Sequence, residues 1–181
     1  MGGAYAGYAE GIAGFVTNAA SPAVRHPHSS GWWDADIDAS ISIPIPLFDN
    51  NDFDNSGGLD ADYSNFIYLA GGLQLQLGPF GAGFFGDLQR YSLSFPPEEE
   101  STVVTVGRYH LLTGWGFLGN QLIVGAGARA LTLGVAAPSA DLTFFGVAPQ
   151  LGVLVKPDWT PFRVGITYRH AVTSTFSVDS G

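Results

Sequence analysis

The sequence predicts an all-β protein: an antiparallel up-and-down transmembrane β-barrel with about seven to eight strands in this chain. Three observations predict it. Seven segments beyond residue 31 alternate apolar and polar residues with period two. The connections between them are unequal at the two ends, and aromatic residues gather near both ends. Only 13% of the residues are charged, about half the usual share, too few to cover an ordinary water-facing surface. Lipid over the outer face would account for that. The organisation expected is an N-terminal segment over residues 1–30 followed by strands over 31–181.

The first strand is expected at 36–47, "DIDASISIPIPL". Ile37, Ala39, Ile41, Ile43, Ile45 and Leu47 share one phase and Asp36, Asp38, Ser40 and Ser42 the other. The second, 63–77, sets Ile67, Leu69, Leu73, Leu75 and Leu77 against Gln74 and Gln76. The third, 80–95, ends with Tyr91, Leu93 and Phe95 opposite Arg90, Ser92 and Ser94. In the fourth, 102–117, Tyr109, Leu111, Trp115 and Phe117 oppose Arg108 and His110. The fifth, 121–135, carries Leu122, Val124, Ala126 and Ala128 against Arg129. The sixth, 141–155, aligns Phe145, Val147, Leu151, Val153 and Val155 opposite Gln150. The seventh, 162–176, aligns Phe162, Val164, Ile166 and Tyr168 opposite Arg163, Thr167 and Arg169.

Longer connections, "FDNNDFDNSGGLDAD", "PPEEES" and "AAPSA", fall at one end of this meander, and "GPF", "LGN" and "KPDWTP" at the other. Most segments reach the roughly 9–11 residues that a bilayer-crossing strand needs, whereas soluble strands more often run five or six. The rival reading of the same pattern is a soluble meander barrel or sandwich.

Several function classes drop out. A net charge of −9 offers no basic surface for a nucleic-acid backbone. With no cysteine there is neither a disulfide nor a thiolate metal site. No uncharged apolar run is long enough for a membrane helix; the opening residues lack the basic and apolar regions of a signal peptide, so the expectation is either a cytoplasmic protein or a sequence that begins inside a longer precursor. There is no nucleophile elbow and no paired base and nucleophile, so nothing argues for an enzyme. "GWGFLG" at 114–119 fits a dinucleotide fingerprint only formally, because a strand rather than a helix follows it.

Five of the seven basic residues, Arg90, Arg108, Arg129, Arg163 and Arg169, fall in strands in the phase opposite the main apolar row. If that row meets lipid, these five point into the lumen. They would then either orient an anionic solute or pack against Asp36, Asp38, Asp87 or Glu10; structural pairing is the favoured reading. In "DFDNSGGLDADY", residues 52–63, Asp52, Asp54, Ser56 and Asp60 stand at calcium-loop positions one, three, five and nine, with Gly57 at six. Tyr63 replaces the acid required at position twelve, which favours a solvated turn over a calcium site.

The opening stretch, "MGGAYAGYAEGIAGFVTNAASPAVR", does not alternate. Gly2, Gly3, Ala4, Tyr5, Ala9, Phe15 and Asn18 resemble the N-terminal motif of FadL-like outer-membrane proteins, the long-chain fatty acid transporter superfamily. In that family a proline follows the asparagine directly; here it is delayed to Pro22. The resemblance implies a hatch that plugs the barrel, with Tyr5, Glu10, Phe15 and Asn18 in it and Arg90, Arg108 and Arg129 as its partners. It further implies the outer membrane of a Gram-negative-type bacterium, contact with the lipid bilayer, and passive uptake or binding of a hydrophobic small molecule without a cofactor. An odd strand count and the lack of a closing aromatic strand lead to the expectation of a fragment of a larger barrel, or an eight-strand barrel. Two other readings stand beside transport: a structural or assembly barrel with a permanent plug, and a soluble ligand-binding β-barrel.

Overall fold

A computed structural model describes residues 4–25, 29, 31–42, 62–94, 101–138 and 140–179. They form an antiparallel meander with almost no helix: β1 (Trp33–Ser42), β2 (Asp62–Leu77), β3 (Phe80–Ser94), β4 (Ser101–Phe117), β5 (Leu122–Ala137), β6 (Ala140–Val155), β7 (Val164–Arg169) and β8 (Thr175–Asp179). Each strand from β1 to β7 pairs with its neighbour in sequence, and β8 also pairs with β6. β7 and β8 are therefore two halves of the expected seventh strand. Arg169 stands opposite Gln150 and Thr175 opposite Phe145, so residues 170–174 face 146–149 with one residue to spare. Val172 and Thr173 lean over Gly146 at this break.

The two central hairpins turn tightly where the sequence allows a left-handed backbone. Gly78 takes φ 58° between β2 and β3, and Leu118, Gly119 and Asn120 all take positive φ between β4 and β5. One expected asymmetry is not found. β5 and β6 pair as far as Ala137 and Ala140, so the "AAPSA" connection shrinks to residues 138–139. The connection at the opposite end, 156–163, is the longer of that pair. Hydrogen bonding continues through the alanines, so composition alone overstated the loop.

The sheet is open: among the described residues β1 and β7 are its edges and do not pair. It is nevertheless strongly curled. Flat, its edges would lie roughly 29 Å apart, six inter-strand spacings of about 4.8 Å. Yet Glu10 pairs with Arg163, beside β7, and lines the same cavity as Asp34 and Asp36 of β1. Residues 4–25, three short 3-10 turns and their links, thus lie against the concave face. No helix among the described residues is long and apolar enough to cross a membrane.

The two faces differ in kind. The buried clusters lie between the N-terminal segment and the concave face: Ile12, Phe15 and Ala19 with Leu112, and Ala20, Ala23 and Val24 with Ile123 and Leu154. The convex face carries the apolar rows read from the sequence, and these are exposed: Ile37 82%, Leu73 56%, Leu111 63% and Ile166 67%.

Candidate functional site

The N-terminal segment reaches the sheet backbone because the concave face is lined with glycine beneath it. A Cβ on Gly81 would meet the Pro22 carbonyl, on Gly125 the Ala19 carbonyl, on Gly152 the Asn18 side chain and on Gly165 the Ala6 carbonyl. On Gly114 it would stand 2.9 Å from Ala23 Cβ. These glycines belong to five different strands, β3 to β7, in the phase that also carries the polar residues. That phasing was the available signal in the sequence; a bare glycine count conceals it. Close backbone approach is what glycine permits and any side chain prevents.

Polar groups then fasten the segment. Asn18, wholly buried, donates through Nδ2 to the carbonyls of Ala6 (3.0 Å) and Val153 (3.2 Å), and its Oδ1 accepts from Ala20 N at 3.0 Å. Gln76 Nε2 donates to Pro22 O and Val24 O, both at 2.9 Å, and Gln74 Nε2 to Pro22 O at 3.1 Å. Gln150 Nε2 donates to Phe15 O at 3.3 Å. That bond turns Gln150 Oε1 toward His110 Nδ1, 3.1 Å away, so Nδ1 carries the proton. These glutamines supply donors to carbonyls that the irregular backbone leaves without strand partners.

Of the four residues singled out in the segment, three are anchored. Phe15 is buried in the cluster with Ile12, Ala19 and Leu112, and Asn18 is the hydrogen-bonded centre. Glu10 forms an ion pair with Arg163, whose guanidinium also lies 5.2 Å from the Tyr8 ring centroid. Tyr5 is 40% exposed, with its carbonyl accepting from Tyr8 N at 3.0 Å.

The arginines sort differently from the expectation. Arg108 pairs with Asp87 at 2.9 Å, as the packing reading expects, and Asp87 is 2% exposed. Arg129 donates to the His170 carbonyl at 2.9 Å. The two that touch the N-terminal segment are Arg163, through Glu10, and Arg169, which donates to the Val16 carbonyl. Arg90 lies on the other face: it stands opposite Ile67 and Thr105, in phase with Phe80 and Phe84. The apolar pattern of β3 changes phase after Leu88 while the strand itself continues without a bulge, so the distal "RYSLSF" row misassigns Arg90. It sits just past the end of the apolar row.

Lys156 lies outside the strands, in the connection to β7, in a cavity of about 540 Å³ with Tyr8, Asp158, Thr160 and Arg163. Burial, then the nearby Arg163 charge, pushes its amine below the ordinary lysine value against the opposing pull of Glu10 and Asp158.

The calcium-loop candidates Asp52, Asp54, Ser56 and Asp60 fall outside the described residues. Among the described residues no group of three or more acidic or histidine side chains could hold a metal ion. Comparison of the chain with protein-family models, with curated proteins and with solved structures gives no match.

Proposed function

We propose that this chain forms the wall and plug of an outer-membrane β-barrel resembling the FadL-like transporters, which binds or passively passes a hydrophobic small molecule. One observation carries the reading: side chains are distributed inside out. Large apolar residues are exposed across the convex face of every strand from β1 to β7, while the concave face buries Gln74, Gln76, Asp87, His110 and Gln150. Large apolar side chains exposed on one face of seven neighbouring strands are not the singly scattered ones that a monomeric soluble protein leaves uncovered. The exposed rows at 67–75 in β2 and 145–155 in β6 have the length of roughly 9–11 residues that crossing a bilayer requires. Trp32, Trp33, Trp159 and Phe162, each at least 65% exposed, gather at one end, where a membrane interface favours aromatic rings.

In this reading residues 4–25 occupy the lumen, and passage requires them to shift. Flux of an apolar dye through liposomes containing the purified chain tests it: deletion of residues 1–25 should raise the flux. A chain that stays folded and soluble without detergent would sink the membrane reading. A second reading, a structural barrel with a permanent plug, is supported by the fastening itself, since Asn18 and three glutamines must all release for the segment to move. Absence of flux with and without residues 1–25 would favour it.

A further inference from the structure

The cavity of about 540 Å³ between the N-terminal segment and the connection to β7 holds an amine with no structural use. Lys156 lines it, partly buried, and among the described residues its Nζ has neither an ion pair nor a hydrogen bond. Nζ is not one of the side-chain atoms sealed from solvent, so a molecule in the cavity can touch it. Asp158 and Glu10 attract the amine without either reaching ion-pair distance.

The second cation in the cavity is fixed in place. Arg163 is held by the Glu10 carboxylate and by the Tyr8 ring, whose centroid lies 5.2 Å from the guanidinium. Burial and this neighbouring charge both disfavour the ammonium of Lys156, which favours the nucleophilic free base. Desolvation and an adjacent cation are the two devices that activate a lysine toward a carbonyl carbon. The remaining walls suit a compact, largely apolar body, for they include the Tyr8 ring, Pro157 and Pro161. Thr160 Oγ1 accepts from Phe162 N at 3.4 Å, which leaves its O–H to donate to an oxygen in the cavity.

We infer that this cavity captures a small aldehyde as an imine on Lys156. The amine lone pair attacks the carbonyl carbon, and the π pair of the C=O bond passes to oxygen. One proton moves from nitrogen to that oxygen and gives a carbinolamine. The nitrogen lone pair then expels the hydroxyl, which leaves as water with a second proton from nitrogen, and the C=N bond remains. Asp158, in the same cavity, can relay both protons. Nothing is oxidised or reduced, and no further reactant is consumed. The volume is in the range of small-molecule sites. Lys156 lies outside the strands, so capture there does not depend on what the convex face meets.

The test is reductive trapping on the full chain in detergent micelles, with butanal as the probe and cyanoborohydride to fix the imine. Lys156 is the one lysine in the chain, so peptide mapping locates the adduct without ambiguity. At neutral pH the trapping rate should saturate with butanal. It should exceed that of Nα-acetyl-lysine amide in the same micelles by about tenfold or more. Arg163→Gln should slow trapping and move the midpoint of its pH profile upward, and Arg163→Lys, which keeps the cation, should restore both. Tyr8→Ala, which removes a wall, should raise the half-saturating butanal concentration; it decides the matter if Arg163→Gln fails to fold. A rate that rises linearly with butanal, or one no faster than the acetylated lysine, would overturn the site. So would a pH midpoint unmoved in folded Arg163→Gln, or an unchanged half-saturating concentration in Tyr8→Ala.

Discussion

Asn18 concentrates the fastening of the N-terminal segment in one side chain, for it bonds the segment to itself through Ala6 and Ala20 and to β6 through Val153. Replacing it with Ala leaves the Val153 and Ala6 carbonyls short of a donor in a water-free setting. Asn18→Ala should lower the stability of the segment by about 1–3 kcal/mol. Limited proteolysis reads this directly: cleavage within residues 4–25 should accelerate while the strands remain protected, and unchanged cleavage would refute the anchoring role. Lys156 gives a different handle, as the one lysine in the chain. Its amine loses its proton at lower pH than a free lysine, because burial and Arg163 disfavour the ammonium. In linkage terms a lysine depressed by folding binds fewer protons than in the unfolded chain. Its contribution to stability therefore rises with pH, between the depressed value and the ordinary 10.5. The rate of amine acylation at Lys156 should reach its midpoint below that of a free lysine, and Arg163→Gln should move the midpoint upward. A midpoint at or above that of a free lysine would contradict the environment described.

At the scale of elements, the glycines decide how closely the segment and the strands can approach. Gly125→Ala would drive a Cβ into the Ala19 carbonyl, whereas at Gly134 a Cβ would find only Thr105 Cβ at 3.9 Å. Gly125→Ala should displace the segment and expose it to protease; Gly134→Ala, on the opposite face, should behave like the unaltered chain. Equal behaviour of the two would mean that the segment does not depend on the glycine floor. Strand positions were largely legible, since period-two rows such as Ile37-Ala39-Ile41 and Leu73-Leu75-Leu77 follow from geometry that a sequence states directly. What escaped was irregularity. The break at 170–174 has no glycine or proline to announce it and depends on packing of Val172 over Gly146. The side taken by Arg90 was misread because the residue pattern shifts phase where the backbone does not. Glu10 was legible as a buried-partner candidate, but its choice of Arg163 depends on a curl that brings residues far apart in sequence together.

For the whole molecule, the curl and the inside-out faces belong together. A sheet that hides its glutamines and shows its leucines is stable only if something apolar covers the convex side. Residues 4–25 already pack against the concave side, so a solute would meet a packed segment rather than a free channel. Curl and covering are collective properties, and alternation in a single strand encodes neither. Alternation states which residues share a face; it leaves open what that face meets.

The central claim, that the convex face meets lipid, is tested most directly along β4. The chain has no native cysteine, so single cysteines introduced one at a time from 108 to 117 can each carry a spin label without background. In reconstituted liposomes, accessibility to oxygen, which concentrates in lipid, should peak at 109, 111, 113 and 115 and fall at 108, 110, 112 and 114. A water-soluble nickel chelate should not reach the odd positions. Odd positions that are open to the nickel chelate, or oxygen accessibility without a two-residue period, would contradict the account.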